Sequence, residues 1–224
     1  MTTPSMVLPA YFDPIREAAA WSLVTARASA VRLVVLNPSS GPGPGRQESY
    51  AGLAGRLRAA GIRRIGYVNT DYGTRPRNDV RDECAAFRDW YDVDGVFLDQ
   101  VSSDVAGLDA YERYVLDARS LGCRTVVLNP GVYPHRAYLD LANLVVTFEG
   151  NLETHRGVQV PQWAMSLPPQ RFCHLVYGVP ESEIDDVRRR AARSNAGALY
   201  LTDGVAPNPW GTLAGYWEKV AQLR

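Results

Sequence analysis

Eight times along this chain a short apolar run ends in a polar residue and is followed by a stretch with helical spacing. The apolar runs fall at 6–10, 31–36, 64–68, 94–100, 124–128, 143–149, 173–177 and 198–201. They are short, rich in Val, Ile and Leu, and bounded by Gly, Pro, Asn or Asp, which is how strands buried on both faces read. Helices are expected to open at Asp13-Pro14 and to cover 48–60, 78–90, 108–121, 136–142, 181–194 and 211–223. Residues 150–157 read as an irregular loop, and a segment around Trp163 ends at Pro168-Pro169. No linker interrupts the alternation. The expectation is one α/β domain over 1–224, a (β/α)8 TIM barrel, with an open doubly wound sheet as the alternative.

A parallel barrel brings the C-terminal tip of every strand to one mouth, where active sites of this architecture lie. The tips here are polar: Tyr11, Asn37, Asn69 with Asp71 and Tyr72, Asp99, Asn129, Glu149, Tyr177 and Asp203. Asp99 and Glu149 stand out because each closes an apolar strand, where desolvation disfavours the charged form. Either acid alone could cap a helix or tie a loop. As a pair on next-but-one strands they could flank a glycosidic bond, one attacking or stabilising the anomeric centre, the other protonating the leaving oxygen. Asp71 is a third acid in reserve. Tyr11, Tyr72, Tyr133, Trp163, Tyr177 and Trp210 follow strand ends and suit stacking on sugar faces, although some of them must serve packing.

Composition excludes several other chemistries. Formal net charge is zero with pI near 6.8, which argues against nucleic-acid binding and electrostatic membrane docking. Lys219 is the single lysine and lies at no strand tip, so Schiff-base chemistry is excluded. Cys84, Cys123 and Cys173 are scattered, with no C-x-x-C, and read as buried free thiols. His135, His155 and His174 form no metal-binding spacing, and His174 reads as a core histidine; no metal or cofactor is expected. The loop Asn37-Pro38-Ser39-Ser40-Gly41-Pro42-Gly43 lacks the Gly-Lys-Ser/Thr ending of a phosphate loop, and no Gly-x-Ser-x-Gly elbow occurs. The acids Asp79 and Glu83 and the run Arg188-Arg189-Arg190 read as solvated helix faces. The N-terminus has no signal-peptide pattern, and no apolar run is as long as a membrane span. A cytoplasmic protein is therefore expected, or a secreted one if a leader has been removed.

Several motifs together resemble a known family. They are Asn37-Pro38-x-Ser40-Gly41-Pro42-Gly43, Gly66-Tyr67-Val68-x-Thr70-x-Tyr72-Gly73-x-Arg75, Gly95-Val96-Phe97-Leu98-Asp99, Asn129-Pro130-Gly131 and Phe148-Glu149. In this order, over nearly the whole chain, they resemble the spherulation-specific family 4 proteins, glycoside hydrolase family 135. The resemblance implies a (β/α)8 barrel and, from characterised fungal members, endo-cleavage of α-1,4-linked N-acetylgalactosamine polymers. It places the strand-four acid on Asp99 and the strand-six acid on Glu149. Tyr11, Asn37, Asn69, Asp71, Tyr72, Gln100, Asn129, Tyr177 and Asp203 are the expected substrate-binding residues, and an oligo- or polysaccharide the expected partner. The family pattern usually has Asp-Glu at the end of strand four, where this chain has Asp99-Gln100. A Gln keeps the shape but delivers no proton, so the second expectation is an inactive or altered glycan-binding barrel.

Overall fold

The computed structural model describes residues 4–222. Eight parallel strands close on themselves in sequence order, β1 pairing with both β2 and β8. They are β1 (Ser5–Ala10), β2 (Val31–Leu36), β3 (Arg63–Asn69), β4 (Gly95–Asp99), β5 (Thr125–Asn129), β6 (Leu144–Asn151), β7 (Phe172–Tyr177) and β8 (Ala198–Leu201). The outer layer is built from α1 (Ala18–Ala26), α2 (Glu48–Ala59), α3 (Arg77–Tyr91), α4 (Leu108–Ser120), α5 (Tyr138–Leu141), α6 (Leu152–Arg156), α7 (Gln162–Met165), α8 (Ile184–Arg193) and α9 (Trp217–Gln222). The barrel, not the open sheet, is the fold.

The long helices bury one stripe each. In α3 it is Val80, Cys84, Phe87 and Tyr91, spaced so that all four point at the barrel wall. Gly66 of β3 faces that stripe: a Cβ there would lie 2.3 Å from the Phe87 ring. Gly95 opens β4 where a Cβ would lie 1.8 Å from the Thr125 carbonyl oxygen of β5. Glycine at these two positions lets a helix approach β3 and lets β5 lie against β4. The pairing that results runs Asn69↔Asp99 and Asp99↔Asn129, so three polar tips stand side by side at the mouth.

Three expected elements differ. The helix after β1 begins at Ala18, because the Asp13 carboxylate accepts from the amides of Ile15 and Arg16 and caps a separate turn first. Residues 150–157 are not irregular: β6 runs on to Asn151, whose side chain accepts from the Thr154 amide and caps α6. The closing helix is short, because residues 211–216 turn around Asp203, which accepts from the Gly215 amide. Leu223 lies outside the described residues. Glu83 is not a solvated residue either: it is half-buried and paired with Arg75 at 2.8 Å. Cys84, Cys123 and Cys173 are free and buried, as expected.

Candidate active site

The two carboxylates lie on the inner face of the barrel, joined by one side chain. Asn129, at the tip of β5, donates from its Nδ2 to Asp99 Oδ1 at 2.6 Å and to Glu149 Oε2 at 2.5 Å. Those two contacts hold Asp99 Oδ1 and Glu149 Oε2 no more than about 5.1 Å apart. The Asn129-Pro130-Gly131 turn explains the precision. The Asn129 amide oxygen accepts from the Gly131 amide, and the Gly131 carbonyl accepts from the Glu149 amide. Gly131 has φ +66°, a left-handed conformation that glycine adopts at no steric cost. The amide of Asn129 is thus fully engaged inside the protein and orients the acids rather than facing solvent.

Each carboxylate has a further partner. The Tyr67 hydroxyl donates to Asp99 Oδ2 at 2.8 Å, and the Trp210 indole donates to Glu149 Oε1 at 3.1 Å. The Gln100 backbone N–H also favours the charged form of the Asp99 carboxylate. Behind Asp99 the backbone is pinned: its carbonyl accepts from the Thr70 amide at 3.0 Å and hydroxyl at 2.7 Å. The Gln100 carbonyl accepts from the Tyr72 amide at 2.7 Å, with Gln100 itself at φ +51°. A positive φ in a residue with a side chain is a strained conformation that surrounding contacts must hold. The Gln100 side chain is half-buried and makes no hydrogen bond among the described residues.

Burial raises the pKa of both acids. For Asp99 it is opposed by the bonds from Tyr67, Gln100 and Asn129. For Glu149 burial is reinforced by the negative charge of Asp99 and opposed by Asn129 and Trp210. Tyr11 and Tyr67 are pushed well above the usual phenol value, first by burial and then by the neighbouring carboxylates, so both stay protonated.

Beside Glu149 opens a cleft of about 550 Å³. Its walls are Tyr11, Tyr67, Tyr177 and Trp210, with Asn37, Ser39 and Ser40 from the loop after β2 and residues 206–209 from the loop after β8. Tyr11 stands edge-on to Tyr67 at 5.5 Å and Tyr177 edge-on to Trp210 at 6.0 Å, giving two aromatic corners. The Asn37 side chain accepts from the Gly41 amide and shapes the loop at the rim.

The expected residues thus divide. Asp99, Asn129 and Glu149 form one hydrogen-bonded group, and Tyr11, Asn37 and Tyr177 share the cleft wall with Glu149. Asn69 and Asp71 are engaged in the turn after β3, Asn69 accepting from the Asp71 amide and Asp71 from the Thr74 hydroxyl. Tyr72 is 61% exposed on the rim. Asp203 is exposed and holds the segment before α9; it is not on the cleft wall. Tyr133 and Trp163 pack against each other and Phe172 rather than at the cleft. His174 is fully buried and bonded to His155 at 3.0 Å, in the core as expected. Tyr67 escaped the sequence reading because an aromatic inside a strand reads as core. Its position two residues before the tip, on the same face as Asn69, is the signal that could have found it. Among the described residues no group of three or more His, Cys, Asp or Glu side chains could hold a metal. No helix among them is long and apolar enough to cross a membrane.

Comparison with known proteins agrees with the motif resemblance. The pattern of spherulation-specific family 4 matches residues 5–223. Spherulin-4 of Physarum polycephalum is 28% identical over 218 residues, covering 90% of this chain. The chain spans 64% of the length of that relative. Among solved structures, Aspergillus clavatus Sph3 in complex with GalNAc superimposes with a TM-score of 0.85 at 23% identity, covering 99% of this chain and 97% of that one. The Bacillus cereus spore cortex-lytic enzyme SleL matches with a TM-score of 0.62 at 10% identity, over 98% of this chain and 74% of that one. At these identities the structural matches show a shared fold.

Proposed function

We propose that this chain, which belongs to spherulation-specific family 4, is a glycoside hydrolase acting on an amino-sugar glycan of the α-1,4-linked N-acetylgalactosamine or galactosamine type. The observation that carries the reading is the Asp99–Asn129–Glu149 group beside an aromatic-walled cleft. The GalNAc held by Sph3 supports an amino sugar as the occupant. Asp99 is assigned as nucleophile and Glu149 as general acid, then general base. Asp99 attacks the anomeric carbon while Glu149 gives its proton to the departing oxygen. Water then attacks the glycosyl-enzyme, losing a proton to Glu149 and freeing Asp99. The close approach of the two acids suits this retaining route, since inverting pairs stand roughly 6.5–9.5 Å apart to admit water between them. Tyr11, Tyr177 and Trp210 offer apolar faces and polar edges to a sugar ring.

One observation favours a second reading, a glycan-binding barrel without turnover: the residue after Asp99 is Gln100, which cannot ionise. Hydrolysis of a panel of α- and β-linked hexosamine oligomers separates the two. Cleavage by the wild type, lost in both Asp99→Asn and Glu149→Gln, is the expected result. Binding without cleavage, unaffected by Glu149→Gln, would favour the second reading.

A further inference from the structure

Asn129 gives one bond to each carboxylate and so cannot decide which of them holds the proton. The asymmetry must come from the other partners. Trp210 donates an indole N–H to Glu149 at 3.1 Å, whereas the Tyr67 hydroxyl donates to Asp99 at 2.8 Å, with the Gln100 backbone N–H also favouring the charged form of Asp99. We infer that Tyr67 is the positioning residue that keeps the negative charge on Asp99 and leaves the pair's proton to Glu149, an inference that takes the assignment of the two acids as its premise.

The geometry leaves the Tyr67 hydroxyl little freedom. Its ring lies roughly parallel to Phe97 at 6.4 Å, and Tyr11 stands against it edge-on. Tyr67 and Phe97 are register partners on β3 and β4, so the same ladder that sets Asp99 beside Asn129 sets the phenol beneath Asp99. The residue is buried, and its hydroxyl reaches Oδ2 at 2.8 Å. Hydrogen bonds to a charged acceptor are the stronger kind, and this one stabilises the carboxylate over the carboxylic acid.

The titratable groups around the pair come from several elements. Tyr11, just after β1, feels the charge of both acids, and Cys173 of β7 that of Glu149. Glu83 of α3 acts on Tyr67 from outside, with Arg75 held against it. Tyr11 and Cys173 are both pushed up by burial and remain neutral. The charge on Asp99 is therefore held by aimed dipoles, Tyr67 foremost among them. The phenol has no proton to give: burial and the two carboxylates raise it far from any working pH. Its part in the reaction is to choose the proton's owner.

Tyr67→Phe removes the hydroxyl and keeps the ring contacts, so the fold should survive. The test follows the carboxyl carbons of Asp99 and Glu149 by 13C NMR across a pH titration, in wild type and Tyr67→Phe without substrate. In the wild type Glu149 should take up its proton at higher pH than Asp99. In Tyr67→Phe the Asp99 titration should move up by about one to two pH units, the equivalent of losing a hydrogen bond to a charged group. Where the wild type cleaves oligomers, the acidic limb of kcat/KM should move up with it, because Asp99 must be ionised to attack. An Asp99 titration unchanged by the substitution overturns the inference, whatever the rates do. A wild type without turnover would count against the hydrolase reading alone, since the NMR titration needs no substrate.

Discussion

At the scale of single residues, the chemistry of the mouth depends on how few donors serve the two acids. Asn129 serves both, and its own amide oxygen is fixed by the Gly131 turn. Asn129→Ala should therefore lower kcat by between about tenfold and a hundredfold, the rate equivalent of a hydrogen bond to a charged group at about 1.5–3 kcal/mol. KM should change little, because the lost bonds are to the protein and not to the sugar. Steady-state kinetics on a cleaved oligomer would test this; a raised KM with kcat intact would instead place Asn129 in substrate binding. Asp99 and Glu149 were legible in the sequence because an acid ending an apolar run is costly and therefore conspicuous. Tyr67 was not, since its partner is thirty-two positions away in sequence and only the β3–β4 register brings them together. Asp203 shows the reverse case. It is an acid after a strand, as Asp99 is, yet its carboxylate ties the segment before α9.

At the scale of elements, the site is placed by how closely β4 is gripped by its neighbours. Gly66→Ala would push a methyl into the Phe87 ring of α3, a side chain that can tilt, and should cost about 1–3 kcal/mol as an overpacked contact. Gly95→Ala would drive a methyl into the Thr125 carbonyl, where only the backbone could move. That substitution should separate β4 from β5 at their start and give little folded protein. Thermal melts followed by circular dichroism distinguish the two; equal melting temperatures would show that β4 and β5 are not held by this approach. The long helices were legible because each buries a regular stripe, as α3 does. The short ones were not. The five residues of α6 are too few to show a period, and what marks it is the Asn151 cap, which in sequence looks like any polar turn. The start of α1 was displaced because Asp13 caps a turn ahead of it.

At the scale of the whole molecule, eight repeats of one rhythm made the closed barrel legible, and closure turned a set of scattered strand tips into one mouth. Sequence could also anticipate that the acids on β4 and β6 would face each other, since one strand stands between them. It could not anticipate that this strand would offer a single amide to both, because that depends on the left-handed Gly131 turn and on the register at three tips. Nor could it fix the cleft wall, where the loop after β8 brings Trp210 back to Glu149. The spacing of the carboxylates carries the most specific consequence for the proposed hydrolysis. The most direct measurement is a 1H NMR time course of an α-linked N-acetylgalactosamine oligomer with the wild-type protein. New reducing-end signals should appear first in the α configuration of the bond cleaved, and none should appear with Glu149→Gln. New ends appearing first as the β anomer would contradict the retaining route, and bound oligomer with no new ends would contradict hydrolysis itself.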